Sequence, residues 1–159
     1  PLKEYFFDAK NISRRNWCII RAINDGYKQS EIASFLNISA VLVSKIIKNH
    51  RQKIKLFDRL QQKGVFWSYS KTFIFKEACE SLLCEYALKY GDFEDLKTLF
   101  SLYGKTRVKN IWEEKLVEDQ RFQKFNLFLA RVFLGMDLES SYFKRNKSAR
   151  FEKFRLLAS

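Results

Sequence analysis

The side chains whose types and spacing could do chemistry in this sequence are mainly its cations. Lys and Arg number 30 against 18 Asp and Glu, which gives a formal net charge of +12. Residues 1–63 hold 13 cations and 5 acids, residues 64–140 hold 11 and 12, and residues 141–159 hold 6 and 1. Clustered cations attract a polyanion and release its counterions on contact. The two basic ends therefore predict contacts with phosphates or with an anionic membrane surface, and a merely solvated basic face is the alternative.

Residue types for catalysis or metal binding are scarce. His50 is the only histidine, so a site built on paired histidines is excluded. Cys18, Cys79 and Cys84 have no C-x-x-C spacing and are expected to pack as free thiols in a reducing cytoplasm. The Gly-Lys-Thr at 104–106 lacks the upstream glycines of a phosphate-binding loop. The sequence thus predicts no enzyme, no cofactor and no metal.

The elements that must position the cations are predicted to be helices throughout. Hydrophobic residues make up 47% of the chain, and only 5 Gly and 1 Pro are present, with the Pro at position 1. Little interrupts long helices in such a chain, and no apolar run approaches a membrane span. We expect an all-α fold with two parts: a three-helix DNA-binding unit with a linker helix over 1–63, and a helical bundle with a basic C-terminal tail over 64–159.

The first unit contains the stretch GYKQSEIASFLNISAVLVSKIIK at 26–48. A helix from about Arg14 to Asp25 is expected before it, capped by Ser13, with an inner face of Trp17, Ile20 and Ile23 beside Ile19. Gly26 and Asn37 tolerate the left-handed backbone that ends a helix. The spacing predicts a second helix over 29–36 and a third that is capped by Ser39. This is the pattern of a helix-turn-helix, whose third helix enters the major groove of DNA.

The inner and outer faces of the third helix follow from its periodicity. Val43, Ile46 and Ile47 form the predicted buried side. The residues expected to face the major groove are Ser39, Ala40, Val41, Ser44 and Lys45. The residues expected to hold phosphates are Arg14, Arg15, Lys48, Arg51 and Lys53.

The second unit has helical patterns at about 75–90, 93–102, 106–116 and 120–134. The residues expected to form its inner faces are Leu82, Leu83, Tyr86, Leu96, Leu99, Phe100, Val108, Ile111, Trp112, Leu116, Phe125, Leu127, Phe128, Val132 and Phe133. Aromatic side chains on such stripes are typical of a core, with stacking on unpaired bases as the alternative. The tail at 140–159 is predicted to be a basic amphipathic helix, either docked on the bundle or in contact with DNA, a membrane or a partner.

The run from Arg14 to Lys48 resembles the Trp-repressor-like helix-turn-helix of transposases associated with repeated extragenic palindromes. The matching residues are Gly26, Tyr27, Glu31, Ile32, Ala33, Ser39, Val43, Ser44, Lys45 and Ile46. Asn37 stands where the family has a turn Gly, and Lys28 stands where a Ser or Thr often caps the second helix. The resemblance implies DNA binding, but the catalytic Tyr domain of that family needs a His-hydrophobic-His motif and cannot lie in a chain with a lone His50.

Residues 65–143 are similar to an uncharacterised bacterial helical domain. That domain occurs appended to such transposases and in small proteins encoded beside nucleotidyltransferase-type toxins, where an antitoxin role is suspected.

The sequence supports two main hypotheses. The first is a DNA-binding, non-catalytic portion or accessory protein of a mobile-element transposase, cytoplasmic and without a membrane partner. The second is an antitoxin or transcriptional regulator whose helical domain binds a protein partner or a second copy of the chain. An enzyme is a third hypothesis, which requires a deep polar pocket in the second unit. Pro1 is expected either to follow a removed initiator Met or to be internal to a longer transposase.

Overall fold

The computed structural model describes residues 1–69 and 72–143, so the predicted basic tail lies outside the described residues from position 144 onward. All regular elements of the described residues are helical, which confirms the all-α prediction. The chain divides into two compact units, Pro1–Lys55 and a second from Leu56 onward. The division falls inside a helix, whereas the sequence placed the boundary after it, at residues 63 and 64.

The helices of the first unit are α1 (Leu2–Phe6), α2 (Ile12–Asn24), α3 (Gln29–Leu36) and the first part of α4 (Ala40–Gln62). The second unit contains the rest of α4 together with α5 (Glu80–Tyr90), α6 (Phe93–Lys115) and α7 (Gln123–Phe128). Short 3-10 turns at Phe75–Glu77 and Gln120–Phe122 and a π-helical turn at Leu129–Phe133 complete it.

The two turns of the first unit are built alike. Gly26 has φ 96° and Asn37 has φ 52°, so each adopts the left-handed conformation that the sequence predicted. After α2, the amide of Tyr27 donates to the carbonyl of Ala22 at 3.1 Å; after α3, the amide of Ile38 donates to the carbonyl of Ala33 at 3.0 Å. Both turns therefore end their helix with the same pairing across six residues.

The helix starts agree with the sequence at α4 and differ at α2. Ser39 Oγ accepts from the amide of Leu42 at 3.2 Å, which confirms Ser39 as a cap. At α2 the cap is Asn11, whose Oδ1 accepts from the amide of Arg14 at 2.8 Å, so Ser13 lies inside the helix. At α3, Lys28 supplies its amide to the Glu31 carboxylate at 2.8 Å. The Lys28 side chain accepts no capping hydrogen bond, so Glu31 satisfies the amide of Lys28 but does not take the place of a capping Ser or Thr.

The core of the first unit joins α2, α3 and α4. Its buried members are Ile19, Ala22, Ile32, Ala33, Val43 and Ile47. The predicted inner face of α2 was wrong in part, because Cys18, Ile19 and Ala22 are buried whereas Trp17 is 49% exposed. The short helix α1, which the sequence did not predict, covers part of this core with Leu2, Tyr5 and Phe6.

The second unit has a larger core, with Trp112 fully buried at its centre. Trp112 Nε1 donates to Asn126 Oδ1 at 2.9 Å, and Asn126 Nδ2 donates to the carbonyl of Leu116 at 2.8 Å. Most of the predicted inner residues are buried or half-buried, but Phe128 and Val132 are exposed. Val132 was misassigned because the chain is π-helical over Leu129–Phe133, which shifts the stripe relative to regular α spacing.

Two predicted boundaries in the second unit also change. α6 is bent at Gly104, which has φ 75° and ψ 161°, so the two predicted helices on either side of Gly104 form one interrupted element. The helix expected from residue 75 begins at Glu80 and is capped by Cys79, after a separate 3-10 turn.

Candidate nucleic-acid interface

The pair α3 and α4 has the geometry of a helix-turn-helix. Three residues, Asn37, Ile38 and Ser39, separate the two helices, and the chain bends by 118° between them. Helix-turn-helix pairs cross at about 90–120° across a turn of three or four residues. Ala33 is buried against the same core as Val43 and Ile47, and its small side chain permits the close approach that the spacing predicted.

The outer side of α4 carries a continuous row of exposed residues, polar or basic except for Val41, which we call the α4 stripe. Its members are Val41, Ser44, Lys45, Lys48, Arg51 and Lys55. At about 100° per residue, all six fall within an arc of about 120° around the helix axis. All six are exposed, so one face of the helix presents them together.

The cations of the α4 stripe have no acidic partner among the residues that the structure describes. The segment of α4 from Ala40 to Phe57 contains no Asp or Glu. In the described part of the chain, no carboxylate lies within ion-pair distance of Lys45, Lys48 or Arg51. Their charges are therefore available to an external anion.

All five residues predicted to face the major groove are exposed at the start of α4 or just before it. Val41 is 78% exposed, which is a high value for an apolar side chain in a unit with its own core. Ser39 Oγ accepts a hydrogen bond in its capping role, and its hydroxyl hydrogen remains to donate to a base or a phosphate. Leu42 is half-buried, so it is less accessible than Val41.

The residues predicted to hold phosphates separate into different environments. Lys48 and Arg51 belong to the α4 stripe. Lys53 is half-buried and lies about 80° outside the arc of the stripe. Arg14 is exposed, whereas Arg15 is half-buried, its Nε is enclosed without a hydrogen-bond partner, and its Nη2 donates to Asn16 Oδ1 at 3.3 Å.

His50 lies among the stripe residues in sequence but on the inner side of α4. Its pKa is lowered by burial and, to a smaller extent, by the charge of Lys53. His50 is therefore neutral at pH 7 and does not add to the charge of the stripe. Within residues 1–69 and 72–143, no group of three or more His, Cys, Asp or Glu side chains could hold a metal ion.

None of the described helices alone is long and apolar enough to cross a membrane. One bent pair, α3 with α4, meets the criteria of length and composition jointly, and the inner residues of this pair pack with those of α2 in the core of the first unit.

Two cations suited to phosphate contact were missed from the sequence. Lys55 follows Lys48 by seven residues, and Arg21 follows Arg14 by seven residues, so each lies on the same helix face as its predecessor. This spacing is visible in the sequence and could have found both. Arg21 is exposed and lies beside two aromatic rings, 5.6 Å from the centroid of Trp17 and 5.6 Å from that of Tyr5.

Comparisons of the chain with protein-family models, with curated proteins and with solved structures found no match.

Proposed function

We propose that the first unit binds DNA through α4 and that the chain serves as a DNA-binding, non-catalytic portion or accessory protein of a mobile-element transposase. The observation that carries this proposal is the acid-free α4 stripe, presented by a helix pair bent by 118°. A solvated basic face needs neither this bend nor a stripe without carboxylates. The combination favours a helix that enters a groove between two phosphate backbones.

The chemistry at the start of α4 supports weak base discrimination. Ala40 and Val41 can contact the methyl group of thymine but cannot donate to guanine. Ser44 and Lys45 supply the polar contacts on the same face. Affinity then depends mainly on the cations that follow, and the preferred sites are rich in thymine.

The binding test is a fluorescence anisotropy titration of the whole chain with labelled duplex and hairpin DNA at several salt concentrations. We expect log Kd to rise linearly with log salt, with a slope of about 0.9 for each phosphate neutralised. Binding without salt dependence, or no binding at low salt, would contradict the proposal.

A second candidate function is that of a regulator whose second unit binds a protein partner. The observation that favours it is a group of exposed apolar residues, Phe93, Phe128 and Val132, which are 52%, 39% and 57% exposed. Phe93 and Phe128 both contact the ring of Phe133, with centroids 5.5 and 5.9 Å apart. Exposed apolar side chains that adjoin one another are typical of interaction surfaces.

This candidate is tested by affinity purification of the chain from its host, followed by measurement of molar mass. A stoichiometric second protein that is lost when Phe93 and Val132 are replaced by Ser supports it. A stable homodimer lost by the same replacements identifies the partner as a second copy. A monomer without a partner contradicts it and leaves DNA binding unaffected.

A further inference from the structure

The outer face of α2 carries a second group of cations that the helix-turn-helix geometry does not explain. Arg14, Trp17 and Arg21 follow each other at intervals of three and four residues, so they lie on one face of the helix. The guanidinium carbon of Arg14 lies 4.6 Å from the centroid of the Trp17 ring, and that of Arg21 lies 5.6 Å away. One indole therefore contacts two guanidinium groups.

Stacking of this kind restricts the motion of the guanidinium groups but leaves their N–H donors unused. A guanidinium over an aromatic ring keeps its N–H donors in its own plane, where they can form paired hydrogen bonds with phosphate oxygens. Because the contact already restricts each long side chain, the side chain loses less conformational entropy when it binds an anion. Two arginines held in this way are better prepared for an anion than two mobile surface cations.

The charges around this group favour an anion. Among the described residues, neither Arg14 nor Arg21 has a carboxylate within ion-pair distance. The nearest acid along α2 is Asp25, and its Oδ2 accepts a hydrogen bond from the hydroxyl of Tyr5. Trp17 is 49% exposed although it lies beside a core with its own apolar residues, so the fold does not use this indole as a core residue.

We propose that Arg14 and Arg21 form a second phosphodiester-binding site on α2 and that Trp17 is the residue that positions both guanidinium groups. This inference rests on the proposed function, since the phosphodiester belongs to the DNA that the α4 stripe binds. It assigns Arg21 and Trp17 a role that the sequence did not predict. It also separates Arg14 from its neighbour Arg15, whose Nε is enclosed.

The test compares three variants of the whole chain by anisotropy with the same labelled duplex over a range of salt. Arg14→Gln with Arg21→Gln removes both charges, and we expect the salt slope to fall by about 2. Trp17→Leu keeps the net charge, and we expect weaker binding with a smaller slope because the guanidinium groups lose their platform. Arg14→Lys with Arg21→Lys keeps both charges but loses the planar donors, and we expect weaker binding with a nearly unchanged slope.

The matched control is Lys76→Gln with Lys124→Gln, which removes two exposed charges from the second unit. If the Gln pair on α2 behaves like this control, or if Trp17→Leu and the Lys pair bind like the parent chain, the α2 site is overturned. Loss confined to variants of the α4 stripe would overturn the α2 site and leave the proposed function standing. A parent chain that binds no DNA overturns both.

Quenching of tryptophan emission gives a second readout, because a variant that merely folds less well would not have its indole protected by DNA. In a Trp67→Phe background the remaining indoles are Trp17, 49% exposed, and Trp112, fully buried. We expect duplex DNA to shift the emission and to protect Trp17 from quenching by acrylamide. Unchanged quenching at saturating DNA would overturn the placement of DNA on this face.

Discussion

The Lys and Arg side chains of the two units differ in whether an acidic side chain lies beside them. In the second unit, most of the described Lys and Arg side chains form ion pairs with Asp or Glu. Examples are Lys97 with Glu94 at 3.0 Å, Arg107 with Glu80 at 3.3 Å and Arg121 with Asp119 at 2.7 Å. In the first unit, no carboxylate of the described residues lies within ion-pair distance of the cations of the α4 stripe or of Arg14 and Arg21. Formal charge alone does not distinguish these two groups of cations, but the presence or absence of an acidic partner does.

The clearest example of cations paired with an acid is found around Asp95. This carboxylate is fully buried and accepts from Arg59 Nε at 2.7 Å and from Lys63 Nζ. It also accepts from the amide of Asp92 at 3.1 Å, as part of the cap of α6. Arg59 and Lys63 follow the α4 stripe on the same helix, so the role of a cation on α4 changes once the acids of α6 are within reach.

The largest effect is expected from removing this acid. Asp95→Ala removes the acceptor of Arg59 Nε and of the Asp92 amide and leaves Lys63 with Asp92 alone, and we expect the free energy of unfolding of the second unit to fall by about 3 kcal/mol. Urea denaturation followed by circular dichroism measures it. The matched control is Glu113→Gln, which breaks the exposed pair with Lys109 and should change stability by less than about 1 kcal/mol. Equal effects of the two variants would show that the buried ion pairs of Asp95 stabilise the second unit no more than an exposed pair does.

A smaller effect is expected at the apolar end of the α4 stripe. Val41→Ala shortens an exposed side chain that does not contribute to the core, so stability should not change. If Val41 contacts thymine methyl groups, the preference for thymine-rich over thymine-poor sites should fall by about 1 kcal/mol. Competition between two such duplexes measures the preference. An equal loss for both duplexes would contradict the placement of Val41 in the groove.

The smallest effect concerns pH. The hydrogen bond from Lys63 lowers the pKa of Asp92, with a further contribution from the amide of Asp95. A carboxylate with a lowered folded-state pKa stabilises the fold above its unfolded pKa, and this contribution is lost as the pH falls through the folded value. Asp92→Asn should therefore flatten the dependence of the urea midpoint on pH below about 4. An unchanged dependence would show that the exposed half of this cluster contributes nothing.

The sequence predicted the local features of the first unit well, because each depends on one residue or on a short period. Gly26 and Asn37 mark the turns, Ser39 caps α4, and Val43 and Ile47 occupy the core. The helix α1 was missed because five residues are too few for a periodic signal. The inner face of α2 was misassigned at Trp17 because the indole packs with arginines on the outer side, which hydrophobicity alone does not reveal.

Features that depend on residues far apart in the chain could not be predicted from the sequence. The partners of Asp95 lie 36 and 32 residues away, and acids are rarely buried, so no local pattern marks it. The angle between α3 and α4 depends on how their side chains pack, and the spacing constrained it only to a broad class. The phosphate contact of Lys53 was predicted from its charge alone, because the sequence did not show that this residue is half-buried.

The central claim is that the α4 stripe, and not the overall charge of the chain, binds DNA. Its most direct test compares the salt dependence of DNA binding for two variants with equal net charge. One replaces Lys45, Lys48 and Arg51 by Gln, and the other replaces the exposed Lys76, Lys105 and Lys124 of the second unit by Gln. We predict that the first lowers the salt slope by about 3 and the second leaves it nearly unchanged. Equal slopes for the two variants would contradict the account.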